Sequence, residues 1–119
     1  MKLVILESPY AGKGNWFQKA YQLWRNKRYA RKCIRHSLSQ GEAPIASHLL
    51  YTQPGILNDD DSVERQWGID AGLAWKSVAD GSVVYTDYGI SSGMKYGIAA
   101  AEKAGKTVEY RKIYSSTTL

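Results

Sequence analysis

The chain has 119 residues, of which 44% are hydrophobic and 23% are charged, with 16 lysines and arginines against 11 acidic residues. This size supports one domain over residues 1–119, and the composition is that of a globular protein rather than a disordered chain. A single cysteine excludes an internal disulfide, no Cys/His pattern resembles a metal site, and no apolar run approaches the roughly 20 residues that a membrane-spanning helix needs.

The first half of the chain predicts a strand, a long helix and a second strand. Lys2–Glu7 (KLVILE) is a continuous apolar run, which is typical of a strand buried on both faces of a parallel sheet. A helix is expected to follow an N-cap at Asn15 and to run to about Gln40, with Phe17 among its inward-facing residues. Ala43–Leu50 (APIASHLL) is interpreted as the second strand.

The second half predicts a helix, a strand, a helix and a last strand. The first of these helices follows an acidic cluster at residues 59–61, and Ser62 is its expected cap. Its expected inward face comprises Val63, Trp67, Ala71, Ala74 and Val78. The later elements are a strand at Ser82–Thr86, a helix from about Ser92 to Ala104 with Met94, Ile98 and Ala101 inward, and a strand at Thr107–Ile113.

Strands that alternate with helices predict an α/β protein with right-handed crossovers and a parallel sheet. In such sheets, ligands bind beyond the carboxyl ends of the strands. Three loops meet at that edge: Ser8–Gly14, Ser47–Pro54 and Asp87–Gly93. We therefore expect the functional site there, with a nucleoside or nucleotide-like ligand.

The loop after the first strand offers Ser8, Tyr10 and Gly12 to a ligand. Glycine lets backbone N–H groups approach a ligand closely, and a tyrosine ring can stack on a base or a sugar. The structural alternative is a tight turn that happens to contain a tyrosine. His48, in the second loop, is a further candidate to donate a hydrogen bond, although a lone histidine near a strand end is more often structural.

Ser91, Ser92 and Gly93 stand where the last helix begins. The first N–H groups of a helix lack intrahelical acceptors and carry the positive end of its dipole, so this turn favours a phosphate. An ordinary serine N-cap is the alternative. Glu64 and Asp70 lie six residues apart and do not form a carboxylate pair; either can bind a ribose hydroxyl, although solvated surface acids are the commoner case.

Eight basic residues and no acidic ones occur from Lys13 to Arg35. This run suits a solvated helix face or a cationic rim that attracts an anionic ligand. Nucleic-acid binding ranks last because no motif for it accompanies the charge. Four tryptophans and nine tyrosines in so small a chain add apolar surface, so we expect a homo-oligomer.

Four motifs occur in order along the chain: SPYAG at 8–12, PIASHLL at 44–50, ER at 64–65 with GIDAGL at 68–73, and ISSGMK at 90–95. Together they resemble the short, often phage-encoded relatives of nucleoside 2-deoxyribosyltransferases and nucleoside monophosphate N-glycosidases. The resemblance covers nearly the whole chain except a basic, aromatic segment around 13–28, which looks like an insertion. It implies a three-layer, flavodoxin- or Rossmann-like sandwich with four or five parallel strands, usually in an oligomer that helps to complete the site.

The resemblance also implies roles for the last motif. In the monophosphate hydrolases a Ser-x-Gly holds the 5′-phosphate, and a glutamate lies four residues further on; in the transferases a glutamate attacks the sugar. Ser91 and Gly93 match the first feature, whereas Gly97 stands at the position of the glutamate. We therefore expect a protein that binds a nucleotide-derived ligand without cleaving it. One version is a sponge that sequesters an immune signal of the cyclic or conjugated ADP-ribose type.

The alternative function is an enzyme that acts on an N-glycosidic bond through a substitute carboxylate. Glu64, Asp70 and Asp87 are the candidates, and Asp87 is best placed because it follows a strand beside the phosphate site. If cleavage does not occur, Gly97 is expected to leave room for a larger ligand. No cofactor or membrane partner is indicated, and Met1 leads into a strand without a signal peptide, which favours a cytoplasmic location.

Overall fold

The structure, a computed structural model, describes residues 1–114. Its elements are β1 (Lys2–Glu7), α1 (Trp16–Ser39), β2 (Glu42–Ile45), α2 (Ser47–Leu50), α3 (Ser62–Val78), β3 (Gly81–Tyr85), α4 (Ser92–Lys103) and β4 (Thr107–Arg111). The strands pair in the order β2-β1-β3-β4, and every pairing is parallel. The predicted α/β class with a parallel sheet is confirmed, with four strands in the described part.

The two central strands separate two apolar layers. Leu6 of β1 and Val83 of β3 belong to a buried cluster with Tyr29 of α1. Val84, the next residue along β3, instead packs with Met94 and Ile98 of α4. Because successive side chains of a strand point to opposite faces, the helices cover both faces of the sheet and form the three-layer arrangement.

Helix α1 begins as predicted but packs differently. Asn15 caps it: its side-chain oxygen accepts a hydrogen bond from the backbone N–H of Gln18 at 3.0 Å, and the Gln18 side chain accepts one from the N–H of Asn15 at 2.9 Å. The first buried residue of the helix is Asn26, so only its second half lies on the sheet. The prediction that Phe17 faces the core is wrong, since this ring is 75% exposed.

The predicted strand at Ala43–Leu50 is two elements. Strand β2 ends at Ile45, and Ser47–Leu50 forms the one-turn helix α2, in which the N–H of Leu50 donates to the carbonyl of Ala46 at 3.0 Å. Pro44 has no N–H for a ladder, so β2 lies at the edge of the sheet, where proline is tolerated. Beyond Ile45 the chain has no β-branched residues until Thr52, and the helical turn forms instead.

Helix α3 differs from its prediction in its cap and in its buried face. Asp61, not Ser62, caps it, because the Asp61 carboxylate accepts hydrogen bonds from two N–H groups of the first turn. The face expected to point inward is exposed; Val63, Trp67 and Val78 are 59–61% exposed. The helix instead packs through Gly72, where an added Cβ would lie 3.0 Å from the hydroxyl of Ser47. A glycine there lets the helix approach α2 closely.

Helix α4 buries the residues predicted for it, namely Met94, Ile98 and Ala101. All four tryptophans of the chain are exposed. Homo-oligomerisation, which was expected from such exposed aromatic surface, stays a prediction. Within residues 1–114, no helix is both long enough and apolar enough to cross a bilayer.

Candidate functional site

The order of the strands reverses between β1 and β3, because β2 lies on one side of this central pair and β4 lies on the other. Loops that leave the carboxyl ends of two such strands diverge and leave a crevice, which is where open α/β sheets bind ligands. A cavity of about 360 Å³ lies there. Its lining comes from the segment 7–13, from α2 and the loop up to Asp59, from the first half of α3, and from residues 91–93.

The structure brings together seven of the ten residues that the sequence proposed for ligand binding. The residues that line the cavity are Ser8, Tyr10, Gly12, His48, Ser91, Ser92 and Gly93. The other three, Glu64, Asp70 and Asp87, are not part of the lining. All three are carboxylates, and each is engaged elsewhere.

Two of these carboxylates stabilise local structure. Glu64 accepts a hydrogen bond from the backbone N–H of Asn58 at 3.0 Å and so ties the preceding loop to α3. Asp70 is exposed and accepts one from the side-chain amide of Gln66, one turn earlier, at 2.8 Å. Neither contact brings a carboxylate to the cavity.

Asp87 anchors the chain after β4. Its carboxylate accepts hydrogen bonds from the Tyr29 hydroxyl and from the backbone N–H groups of Ile113 and Tyr114, the latter two at 3.0 Å. Desolvation acts to raise the pKa of Asp87, but these hydrogen bonds outweigh it and hold that pKa below its usual value. Every hydrogen bond that this carboxylate accepts comes from the protein itself. This pattern is typical of a structural carboxylate rather than a catalytic one.

Ser8 and His48 form a polar pair in the cavity wall. The Ser8 hydroxyl lies 2.7 Å from Nε2 of His48, and the ring of Tyr10 meets the imidazole edge-on with 6.5 Å between centroids. Burial, and then the charge of Lys76, lower the pKa of His48 to about 4. At neutral pH the imidazole is therefore uncharged, and it acts as a hydrogen-bonding partner rather than as a cation.

This neutral histidine predicts a pH dependence of stability. The unfolded chain takes up a proton on His48 near pH 6.5, whereas the folded protein does so only near pH 4, so the contribution is complete above pH 6.5 and is lost as the pH falls. Compared with His48→Gln, which keeps an amide for Ser8, the protein should lose about 2 kcal/mol of unfolding free energy between pH 6.5 and pH 4.5. Urea unfolding across this range measures it, and parallel curves for the two proteins would contradict it.

The first turn of α4 opens onto the cavity. Ser91 is its N-cap, and its hydroxyl accepts a hydrogen bond from the N–H of Met94 at 3.3 Å. The cap role foreseen as the alternative for Ser91 is therefore present, while Ser92 and Gly93 remain beside the cavity and are exposed. Lys13 and Arg65 add positive charge to the lining, and Glu7 and Asp59 add negative charge. The first turn of α4 itself suits an anion.

Glu7 lies where Gly97 was expected to leave free space. An added Cβ at residue 97 would overlap the Glu7 carboxylate, lying 2.7 Å from its Cδ and 2.9 Å from Oε1. Oε2 of Glu7 also forms an ion pair with Nζ of Lys76 at 2.7 Å, and both side chains are largely buried. The expectation that Gly97 makes room for a larger ligand is wrong, because the glycine accommodates this carboxylate instead.

Adding one methyl group at residue 97 should therefore be costly. Gly97→Ala forces the Glu7 carboxylate away from α4 and disturbs its ion pair with Lys76, and we expect a loss of about 1–3 kcal/mol of unfolding free energy. Gly93→Ala is the matched control in the same helix, because a Cβ there meets no other atom within 4 Å. Chemical denaturation compares the two variants, and equal stabilities would refute the packing argument.

Among the charged residues that line the cavity, sequence reasoning missed Glu7, Asp59 and Arg65. The sequence holds one signal for Glu7: it is the only acidic residue of β1, and it stands directly before the loop Ser8–Gly14, which is expected to bind the ligand. Arg65 occurs in the third of the four motifs only as a neighbour of Glu64. Burial raises the pKa of Glu7, while its contact with Lys76 opposes that rise.

Comparison with solved structures finds a 2-deoxyribosyltransferase from the psychrotolerant bacterium Bacillus psychrosaccharolyticus. The TM-score is 0.61 at 15% sequence identity, and the match covers 98% of this chain and 77% of that one. At this identity the likeness establishes a shared fold. No curated protein sequence matches the chain.

A family model also matches the sequence, over residues 2–111. The match includes every strand and helix described above and all the residues that line the cavity. The chain therefore belongs to the family described as a domain of unknown function, DUF7768.

Proposed function

We propose that the protein binds a nucleotide in this cavity, with the phosphate at the first turn of α4. The observation that carries the proposal is the position of Ser92 and Gly93, which start the helix and line the cavity together. First-turn N–H groups have no intrahelical acceptors and carry the positive end of the helix dipole. Lys13 and Arg65 supply further positive charge in the same lining.

The remainder of the lining supports a nucleoside rather than a bare anion. Tyr10, His48 and Tyr51 contribute rings, and Leu57 and Ile69 contribute apolar surface. Aromatic and apolar side chains of this kind bind the faces of bases and sugars. The cavity volume of about 360 Å³ also falls in the range of roughly 300–1,000 Å³ that small-molecule sites occupy.

Sequestration of the ligand, rather than its conversion, is the role we propose first. Its support is the placement of the three substitute carboxylates, none of which lines the cavity. His48, uncharged at neutral pH, is also not available as a protonated general acid for a departing base. A site that has binding groups but none of these three carboxylates is suited to holding its ligand, and an ADP-ribose derivative belongs to the same chemical class.

Hydrolysis of an N-glycosidic bond is the second candidate, and Glu7 is the observation that favours it. This carboxylate lines the cavity and lies against α4. In such a reaction the oxygen of water bonds to the sugar carbon, and the base leaves with the bonding electrons and takes up a proton from water. The ion pair with Lys76 stabilises the charge on Glu7 and so weakens it as a base that takes a proton from the attacking water, which places this candidate second.

Calorimetric titration with the four ribonucleoside monophosphates, ADP-ribose and cyclic ADP-ribose tests both candidates, followed by mass spectrometry of the recovered ligand. We expect saturable binding of at least one compound at one per chain, with the ligand intact. Free base in molar excess over protein would favour hydrolysis over sequestration. Failure of every compound to bind would overturn the assignment of the cavity to nucleotides.

A further inference from the structure

One carboxylate oxygen of Glu7 is hydrogen-bonded within the protein, and the other is not. Oε2 is paired with Lys76, while no group within residues 1–114 donates a hydrogen bond to Oε1. No fully buried side-chain nitrogen or oxygen in that part of the chain lacks a partner, so Oε1 is not fully buried. Glu7 lines the cavity, and Oε1 is the oxygen of this carboxylate that remains available to a ligand there.

The direction of this acceptor is held from two sides. Lys76 holds Oε2, and the backbone of α4 at Gly97 closes the space behind the carboxylate. A carboxylate that is anchored in this way loses little side-chain entropy when a ligand binds. An ionised carboxylate only accepts hydrogen bonds, so its partner in a ligand must be a hydroxyl or an amino group.

The place at which Glu7 contacts α4 distinguishes a hydroxyl from an amino group as the donor. Gly97 lies one turn beyond Gly93, which corresponds to about 6 Å along the helix axis. When the phosphate occupies the first turn, the part of a nucleotide that lies next to it is the sugar, and the base lies further away. The donor within reach of Glu7 is therefore a sugar hydroxyl.

Resting on the nucleotide-binding function proposed above, we infer that Glu7 is a specificity-determining residue that accepts a hydrogen bond from the ribose and makes the site prefer ribonucleotides over 2′-deoxyribonucleotides. Ribose presents two neighbouring hydroxyls, whereas 2′-deoxyribose presents one. An acidic side chain at the carboxyl edge of a parallel sheet binds a ribose 2′-hydroxyl in other nucleotide sites for the same reason. The negative charge of Glu7 also disfavours a phosphate directly beside this carboxylate, so it orients the ligand with the phosphate at the first turn of α4.

Base-free probes test this inference without knowledge of the base. Titration calorimetry compares ribose 5-phosphate with 2-deoxyribose 5-phosphate, and AMP with dAMP, on the full chain. We expect the ribose compound of each pair that binds to bind at least about tenfold more tightly, as one charge-assisted hydrogen bond provides. Equal affinities within a pair would overturn the role of Glu7 and leave nucleotide binding intact, whereas no binding of any probe would overturn both.

A paired variant connects the preference to this side chain. Glu7→Gln alone leaves Lys76 buried without its counter-ion and can fail to fold, so the test uses Glu7→Met combined with Lys76→Met, which removes both charges at similar volume. Circular dichroism confirms the fold of the variant. The ratio of the two affinities should then fall to about one, and a ratio that stays at the native value would refute the inference.

Discussion

We expect Asp87→Asn to lower the free energy of unfolding more than the neutralisation of any other acidic surface residue does. The substitution replaces one acceptor oxygen with an NH₂ group that faces the backbone N–H of either Ile113 or Tyr114, while the Tyr29 hydroxyl loses a charged partner. We expect a loss of about 2–4 kcal/mol of unfolding free energy, because hydrogen bonds to charged groups are worth about 1.5–3 kcal/mol and one backbone donor loses its acceptor. Urea denaturation measures the loss.

Asp60→Asn is the matched control for this experiment. Asp60 is exposed, and its carboxylate accepts no hydrogen bond within residues 1–114, so its neutralisation should change stability by no more than about 0.5 kcal/mol. The opposite pattern is informative. If Asp87→Asn kept full stability and lost ligand conversion or binding, Asp87 would belong to the site, as the sequence suggested.

Gly93→Asp should abolish nucleotide binding and leave the fold intact. The new carboxylate would stand in the first turn of α4, where the phosphate is proposed to bind, and juxtaposed like charges cost several kcal/mol. We expect an affinity at least about 100-fold lower for the best ligand of the panel. An acidic residue in the first turn stabilises a helix through its dipole, so the melting temperature should not fall.

Gly93→Ala separates charge from bulk in this experiment. Its Cβ would meet no atom within 4 Å, so it adds the same first carbon without the carboxylate. Binding close to the native affinity in Gly93→Ala and none in Gly93→Asp would assign the loss to electrostatic repulsion. Native affinity in Gly93→Asp would place the phosphate elsewhere in the cavity.

The order and the type of the main elements follow from local patterns in the sequence. Continuous apolar runs give β1 and β3, and the Asn15 cap sets the start of α1. What local patterns do not contain is which face of a helix meets the sheet. In α3 the apolar face is exposed, and the small residues Gly68 and Gly72 decide the packing because they allow close approach to Leu57 of the preceding loop and to α2.

The candidate site follows the same division. Loops at the carboxyl ends of parallel strands converge wherever strand order reverses, so Ser8, His48 and Gly93 could be placed together before any side chain was seen. Glu7 could not be placed in this way. Its position depends on contacts with Lys76 and Gly97, which are 69 and 90 residues away along the chain and are set only by tertiary packing.

The contact between Glu7 and Gly97 means that the two positions cannot vary independently in evolution. A larger residue at 97 and a glutamate at 7 would claim the same volume, so a chain of this fold that gains a side chain on α4 must shorten or redirect the one on β1. The lysine at 76 then loses its counter-ion and must change as well. These three positions are far apart in the sequence, and substitutions at them should therefore occur together in evolution.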